Sequence, residues 1–159
     1  LMPGVLSGLV GVNGAGKTTL VKCLLDFCTF ETGKIELFGL PHTRPRSREQ
    51  LTFLPERFVP PYFLTGRQFV NAMSGVSGNP FDASRVIDMF RELDLAPEVL
   101  DRPVRALSKG MTQKLGLAAC LLSNRRFLVF DEPMSGLDPK ARVRVKAKLR
   151  RLKEDGAAL

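Results

Sequence analysis

The sequence lacks any apolar run long enough to cross a bilayer. Its longest, such as Leu115 to Leu122, fall far short of the roughly 20 residues a membrane helix needs, and no secretory leader pattern opens the chain. The expectation is a chain that does not span a membrane by itself. Cysteine is scarce. Cys23, Cys28 and Cys120 are odd in number and show neither metal-type nor redox-type spacing, which argues against a disulfide framework and for reduced core residues of a cytosolic protein. There is no internal repeat, no low-complexity linker, and only one histidine, His42.

What is present suits one compact domain: 159 residues, 44% of them hydrophobic, can bury a real core. The net charge of +8 raises the question of a nucleic-acid partner. Its distribution answers differently. Eight basic and no acidic residues lie between Lys140 and Lys153, whereas the rest of the chain holds sixteen of each sign. The excess is local. Either it touches phosphate or an anionic membrane, or it is the solvated face of a helix whose buried stripe is Ala141, Val145, Leu149 and Leu152; the helical spacing of that stripe favours the second.

Val5 to Val10 is an apolar run ending in a glycine-rich turn, and Leu20, Val21, Leu24 and Leu25 follow at helical spacing, which reads as strand, loop, helix. Short strands are expected at 34 to 38, between Gly33 and Gly39, and at Leu51 to Leu54. Beyond the prolines at 55, 60 and 61, helices are expected at Arg67 to Met73 and Ala83 to Leu93, and residues 58–106 read as a helical insert. Ser108 is placed to cap a helix through Leu122, Phe127 to Phe130 is an apolar strand ending at Asp131, and Pro139 opens a last helix stopped at Gly156. Alternating strands and helices imply an α/β layer fold.

Residues 11–18, Gly-Val-Asn-Gly-Ala-Gly-Lys-Thr, match the P-loop pattern in the strand-to-helix context it requires. Gly11, Gly14 and Gly16, with Asn13 and Ala15 between them, let the backbone curl so that amides point at phosphate oxygens, and the helix that follows adds its positive end. Lys17 can reach the β and γ phosphates of ATP, Thr18 can offer its hydroxyl to Mg2+, and Thr19 can donate to a phosphate oxygen. The strand 127–130 then delivers Asp131 and Glu132. Asp131 is the candidate Mg2+ ligand and Glu132 the candidate base that polarises the attacking water. A run ending in Asp-Glu is weak evidence alone; beside a P-loop it becomes specific.

With these in place, Leu107-Ser-Lys-Gly-Met, followed by Gln113, Lys114, Leu115 and Leu117, resembles the signature motif of ABC-type ATPases. Asp131-Glu-Pro-Met-Ser-Gly-Leu-Asp138-Pro is similar to that family's second carboxylate motif and D-loop. The likeness runs over residues 4–159. It implies an α/β fold with a P-loop NTPase (RecA-like) core and mostly parallel sheet, made by residues 1–57 and 107–159 of a single nucleotide-binding domain, plus an α-helical subdomain at 58–106. It further implies head-to-tail pairing, as homodimer or heterodimer, in which Ser108, Lys109 and Gly110 of one copy meet ATP on the other and Asp138 couples the two sites. The partners implied are transmembrane permease subunits, with the domain on the cytoplasmic face of the membrane; nucleic acid is not an expected partner.

Several positions depart from the family pattern. Lys109 stands for a glycine and Met111 for a glutamine in the signature, and Glu56, in Leu54-Pro-Glu, stands where the Q-loop usually has glutamine. A carboxylate at 56 can still meet Mg2+ or its water, and Glu56 to Phe63 is the candidate permease contact. Both variants resemble those of exporters. The resemblance places an adenine-stacking aromatic before Leu1 and the switch histidine beyond Leu159, so the chain reads as truncated and poorly active alone, with no switch role for His42. A soluble family member acting on ribosome or DNA is the alternative, with the basic helix touching phosphates.

Overall fold

The computed structural model describes residues 4–12 and 14–159. In chain order the elements are α1 (Lys17–Leu24), β1 (Glu36–Leu37), β2 (Leu40–Pro41), β3 (Leu51–Leu54), α2 (Gly66–Ser77), α3 (Ala83–Glu92), α4 (Lys109–Leu122), β4 (Phe127–Phe130) and α5 (Pro139–Glu154), with short 3-10 turns at Pro45–Arg48, Pro97–Asp101 and Val104–Ala106.

β3 and β4 pair in parallel, with Leu51 opposite Phe127 and Leu54 opposite Phe130. Parallel neighbours need a crossover, and here α2, α3 and α4 supply it. On the far side of β4, Ala158 forms a parallel bridge to Phe127. Leu159 in turn accepts from the Ser7 amide (2.9 Å) and donates to the Val5 carbonyl (3.0 Å). The strand expected at Val5 to Val10 is therefore reduced to an extended segment paired through one residue. Leu6, Leu9 and Val10 are exposed, so neither a ladder nor burial sustains a longer strand. The strand expected at 34 to 38 contracts to a hairpin, because Phe38 (φ 52°) and Gly39 (φ 76°) both take left-handed backbone and turn the chain at once.

The helices obey their capping chemistry. Ser108 caps α4 by accepting from the Met111 amide, Asp138 caps α5 by accepting from Ala141, and Thr65 with Gln68 forms a capping box on α2. Along α5, Ala141, Val145 and Leu149 are buried and Leu152 half-buried, as the sequence spacing requires. One continuous apolar cluster joins α2, α3, α4, β4 and α5, with Phe90, Leu93, Leu115 and Leu117 fully enclosed. At the centre of α4, Gly116 leaves a slot: a Cβ there would lie 2.7 Å from the Phe58 ring and 2.8 Å from Leu54 Cδ1. Phe58, packed edge-on against Phe69 at 5.7 Å, sits in that slot.

The three cysteines are free thiols. Cys23 and Cys120 are buried, but Cys23 Sγ lies 3.5 Å from Cys28 Sγ, a proximity their sequence spacing did not suggest. His42 is also buried, stacked near Phe30, with its Nε2 4.0 Å from Asp26.

Candidate nucleotide site

The phosphate loop turns where its glycines allow it, with Gly14 and Gly16 both at φ 85°. Gly16 is the cap residue of α1, so Lys17 is the first residue of the helix and Thr18 the second. Lys17 Nζ donates to the carbonyls of Gly11 (2.7 Å) and Val12 (3.0 Å), so the cation already lies over the loop that should cradle phosphate. Gly11, Ala15, Thr18 and Thr19 are all exposed, whereas Asn13 lies outside the described residues.

Ala158, bridged to β4, and Leu159, bonded to residues 5 and 7, set the acidic end of β4 beside this loop. The Asp131 amide donates to Leu54 O at 3.0 Å, extending the ladder one step past β4. Thr18 Oγ1 then donates to Asp131 Oδ2 at 3.2 Å, joining residues 113 apart in sequence. A hydroxyl and a carboxylate in contact are hard oxygen donors of the kind Mg2+ takes, usually with waters and substrate phosphates completing its shell, so the residues present fit the ion. Glu132 follows with φ 48°. A non-glycine residue in that region costs on the order of 1–3 kcal/mol, and such strain gathers at functional sites. Glu56 leaves β3 at the same sheet edge at which Asp131 and Glu132 leave β4, and it is exposed.

The signature segment begins α4. Ser108 uses its oxygen as cap acceptor, which leaves its O–H free to donate. The Lys109 stem lies over Gly136, where a Cβ would be 3.3 Å from it, and a Cβ at Gly110 would stand 3.0 Å from the Gly136 carbonyl oxygen. Two side chains of this helix were assigned no role from sequence, yet they tie it to the carboxylate loop. Gln113 Nε2 donates to Pro133 O (3.2 Å), and Lys114 Nζ stands 3.6 Å from the Asp138 carboxylate. Both are buried polar groups in an otherwise apolar stretch, the signal that marks them out.

Asp138 titrates low because its carboxylate accepts the Ala141 amide and faces Lys114. Asp94 titrates low because it accepts from Lys140 and lies near Lys114 and Arg144. A depressed folded pKa contributes stability that is complete above the unfolded value, 3.8, and is lost as pH falls through the folded one. The thermal midpoint should therefore fall below about pH 4, and Asp94→Asn should lessen that fall; scanning calorimetry from pH 2 to 6 measures both.

A glycine-turned loop opening a helix, closed by a threonine–aspartate contact from the end of a parallel strand, defines a P-loop nucleotide-binding domain. The chain belongs to the ABC transporter family, whose profile matches residues 1–135. An uncharacterized ABC transporter ATP-binding protein of Synechocystis sp. is 35% identical, over 98% of this chain and 45% of its own length. The Nod factor export ATP-binding protein I of Cupriavidus metallidurans is 33% identical (100% and 54%), and the zinc import ATP-binding protein of Pseudomonas fluorescens 31% (96% and 54%). A solved ATP-binding subunit of an ABC transporter superposes with a TM-score of 0.90 at 28% identity, over 98% of this chain and 66% of that one. The chain thus spans about half the length of the curated relatives it matches. Family and P-loop fold agree with the expectations from the sequence, whereas the relatives' names include both import and export.

Proposed function

We propose that this chain binds ATP with Mg2+ and takes part in hydrolysing it to drive transport across a membrane through separate permease subunits. The observation that carries the reading is the Thr18–Asp131 contact at 3.2 Å, which puts the phosphate loop and the acidic strand end in one site. Lys17 would exchange its loop carbonyls for β and γ phosphate oxygens, Thr18 and Asp131 would hold the metal, and Glu132 would act as base toward the attacking water. Bound Mg2+ supplies charge neutralisation at the phosphates. Glu56 is a further candidate for the metal's water shell.

The site is completed in a head-to-tail pair of domains, where the free Ser108 O–H, Gly110 and Lys109 of one copy cap the nucleotide of the other. Residues 58–106 act as the helical lobe and the remainder as the core. The permease docks on the loop beyond Glu56, where Val59, Tyr62 and Phe63 are exposed apolar side chains. The domain then lies peripherally on the cytoplasmic face. The signature variant and Leu54-Pro-Glu56 favour export. Nucleic acid is not proposed as a partner, since Lys140 and Arg144 pair with Asp94, and Lys148 with Glu92 at 2.6 Å, which satisfies three of the eight basic residues internally.

Two experiments test the two levels. Fluorescent-ATP binding by the intact protein should be lost in Lys17→Ala, with affinity down at least about 100-fold, and a cysteine at Tyr62 should cross-link to the permease. Unchanged nucleotide affinity in Lys17→Ala would sink the ATP reading; absence of any cross-link would sink the docking site alone.

A further inference from the structure

α4 is buried continuously from Gln113 to Leu122, and Lys114 is the one ionised side chain in that stretch. A cation taken out of water must be repaid by close partners. Lys114 has three. Its Nζ donates to the Asp94 carbonyl at 2.8 Å and faces the carboxylates of Asp94 (3.7 Å) and Asp138 (3.6 Å). These partners come from two separate segments. Asp94 sits in left-handed backbone (φ 57°) in the turn after α3, where it also holds Lys140 (3.0 Å) and Arg144 (3.8 Å) of α5. Asp138 ends the carboxylate loop and caps α5.

We propose that Lys114 is a positioning residue for ATP turnover, its buried ammonium fixing the start of α4 in register with the 131–138 loop. Lys114 lies six residues along the helix from Ser108, roughly 9 Å at 1.5 Å per residue, and its ammonium is engaged by Asp94 and Asp138, so it acts through other residues. Its action is on Ser108, Gly110 and Asp138, which it presents to the opposing nucleotide as one rigid face. Gln113 on Pro133 and the Lys109 stem on Gly136 flank the same seam. This rests on the two-copy reading above. Removing the charge leaves two carboxylates facing a hydrophobic helix and loosens the seam, while the P-loop of the same copy is untouched.

The test is steady-state ATPase kinetics of the intact protein over a range of protein concentrations, with fluorescent-ATP binding in parallel. Lys114→Met should lower kcat about tenfold, a typical coupling effect, with KM and P-loop affinity within about twofold. Lys114→Arg should restore most of the rate. Should Lys114→Met fail to fold, Asp94→Asn, which keeps the shape of the turn and removes one partner charge, carries the same expectation. Wild-type kcat in a folded Lys114→Met or Asp94→Asn protein would overturn the proposal, as would a rate loss matched by an equal loss of folded fraction. A wild-type rate per molecule that does not rise with protein concentration would instead strike the two-copy reading, and the proposal with it.

Discussion

Glu132→Gln should lower ATP turnover about 1,000-fold while leaving ATP affinity near that of the wild type, within the range removed with a general base. The substitution keeps the shape of the side chain and removes only its basicity. It should also leave the backbone undisturbed, because glutamine at φ 48° pays the same conformational cost that glutamate already pays. Single-turnover hydrolysis and equilibrium nucleotide binding, measured on the same protein, separate the two effects. A glycine at this position supplies a second reading of the same site. Glu132→Gly should be equally inactive yet more stable by about 1 kcal/mol, since the strain is relieved. Full turnover in Glu132→Gln would remove this residue as the base; an inactive Glu132→Gly protein no more stable than wild type would mean that the backbone stores no strain there.

The largest stability effect should come from Gly66→Ala. Gly66 begins α2, donates its amide to Arg102 O at 3.1 Å, and lies against the 3-10 turn Pro97–Asp101. A methyl there would overlap the Val99 carbonyl oxygen and stand 3.1 Å from its carbon and 3.2 Å from Leu100 Cα, all of it backbone that cannot rotate away. Such overpacking should cost about 3 kcal/mol. Gly75 on the same helix is the control, because a Cβ there meets nothing within 4 Å. Gly75→Ala should stabilise by about 0.8 kcal/mol through helix propensity alone. Urea midpoints give both values, and a Gly66→Ala midpoint equal to that of wild type would show that the turn yields freely.

The parts of this molecule legible in the sequence are those whose determinants are local. Ser108 and Pro139 place the starts of α4 and α5 because caps and first-turn prolines act within one helical turn. The phosphate loop is likewise a contiguous pattern, and two of its glycines, Gly14 and Gly16, take left-handed backbone. The segment Val5 to Val10 looked like a strand because its composition is apolar, but a strand is defined by a neighbour, and its pairing here comes through Leu159 alone. The hairpin at Phe38-Gly39 was hidden for a related reason: phenylalanine rarely takes left-handed backbone, so no propensity announces it. Lys114 was invisible as a structural element because its partners lie 20 and 24 residues away in two different segments. The contact between Thr18 and Asp131 could be expected only by joining two motifs, and it is realised because Ala158 pairs with β4 while Leu159 pairs with residues 5 and 7, which sets the two segments side by side.

The slot at Gly116 has a mechanical consequence. A ring seated against bare helix backbone has no side chain between them to flex and absorb a push. Phe58 belongs to the same loop as the exposed Val59, Tyr62 and Phe63, and α4 begins at Ser108, the residue proposed above to cap a second copy's nucleotide. Anything pressing on that loop from outside therefore leans on the helix as on a crank, and the missing methyl group at residue 116 removes the slack between the two.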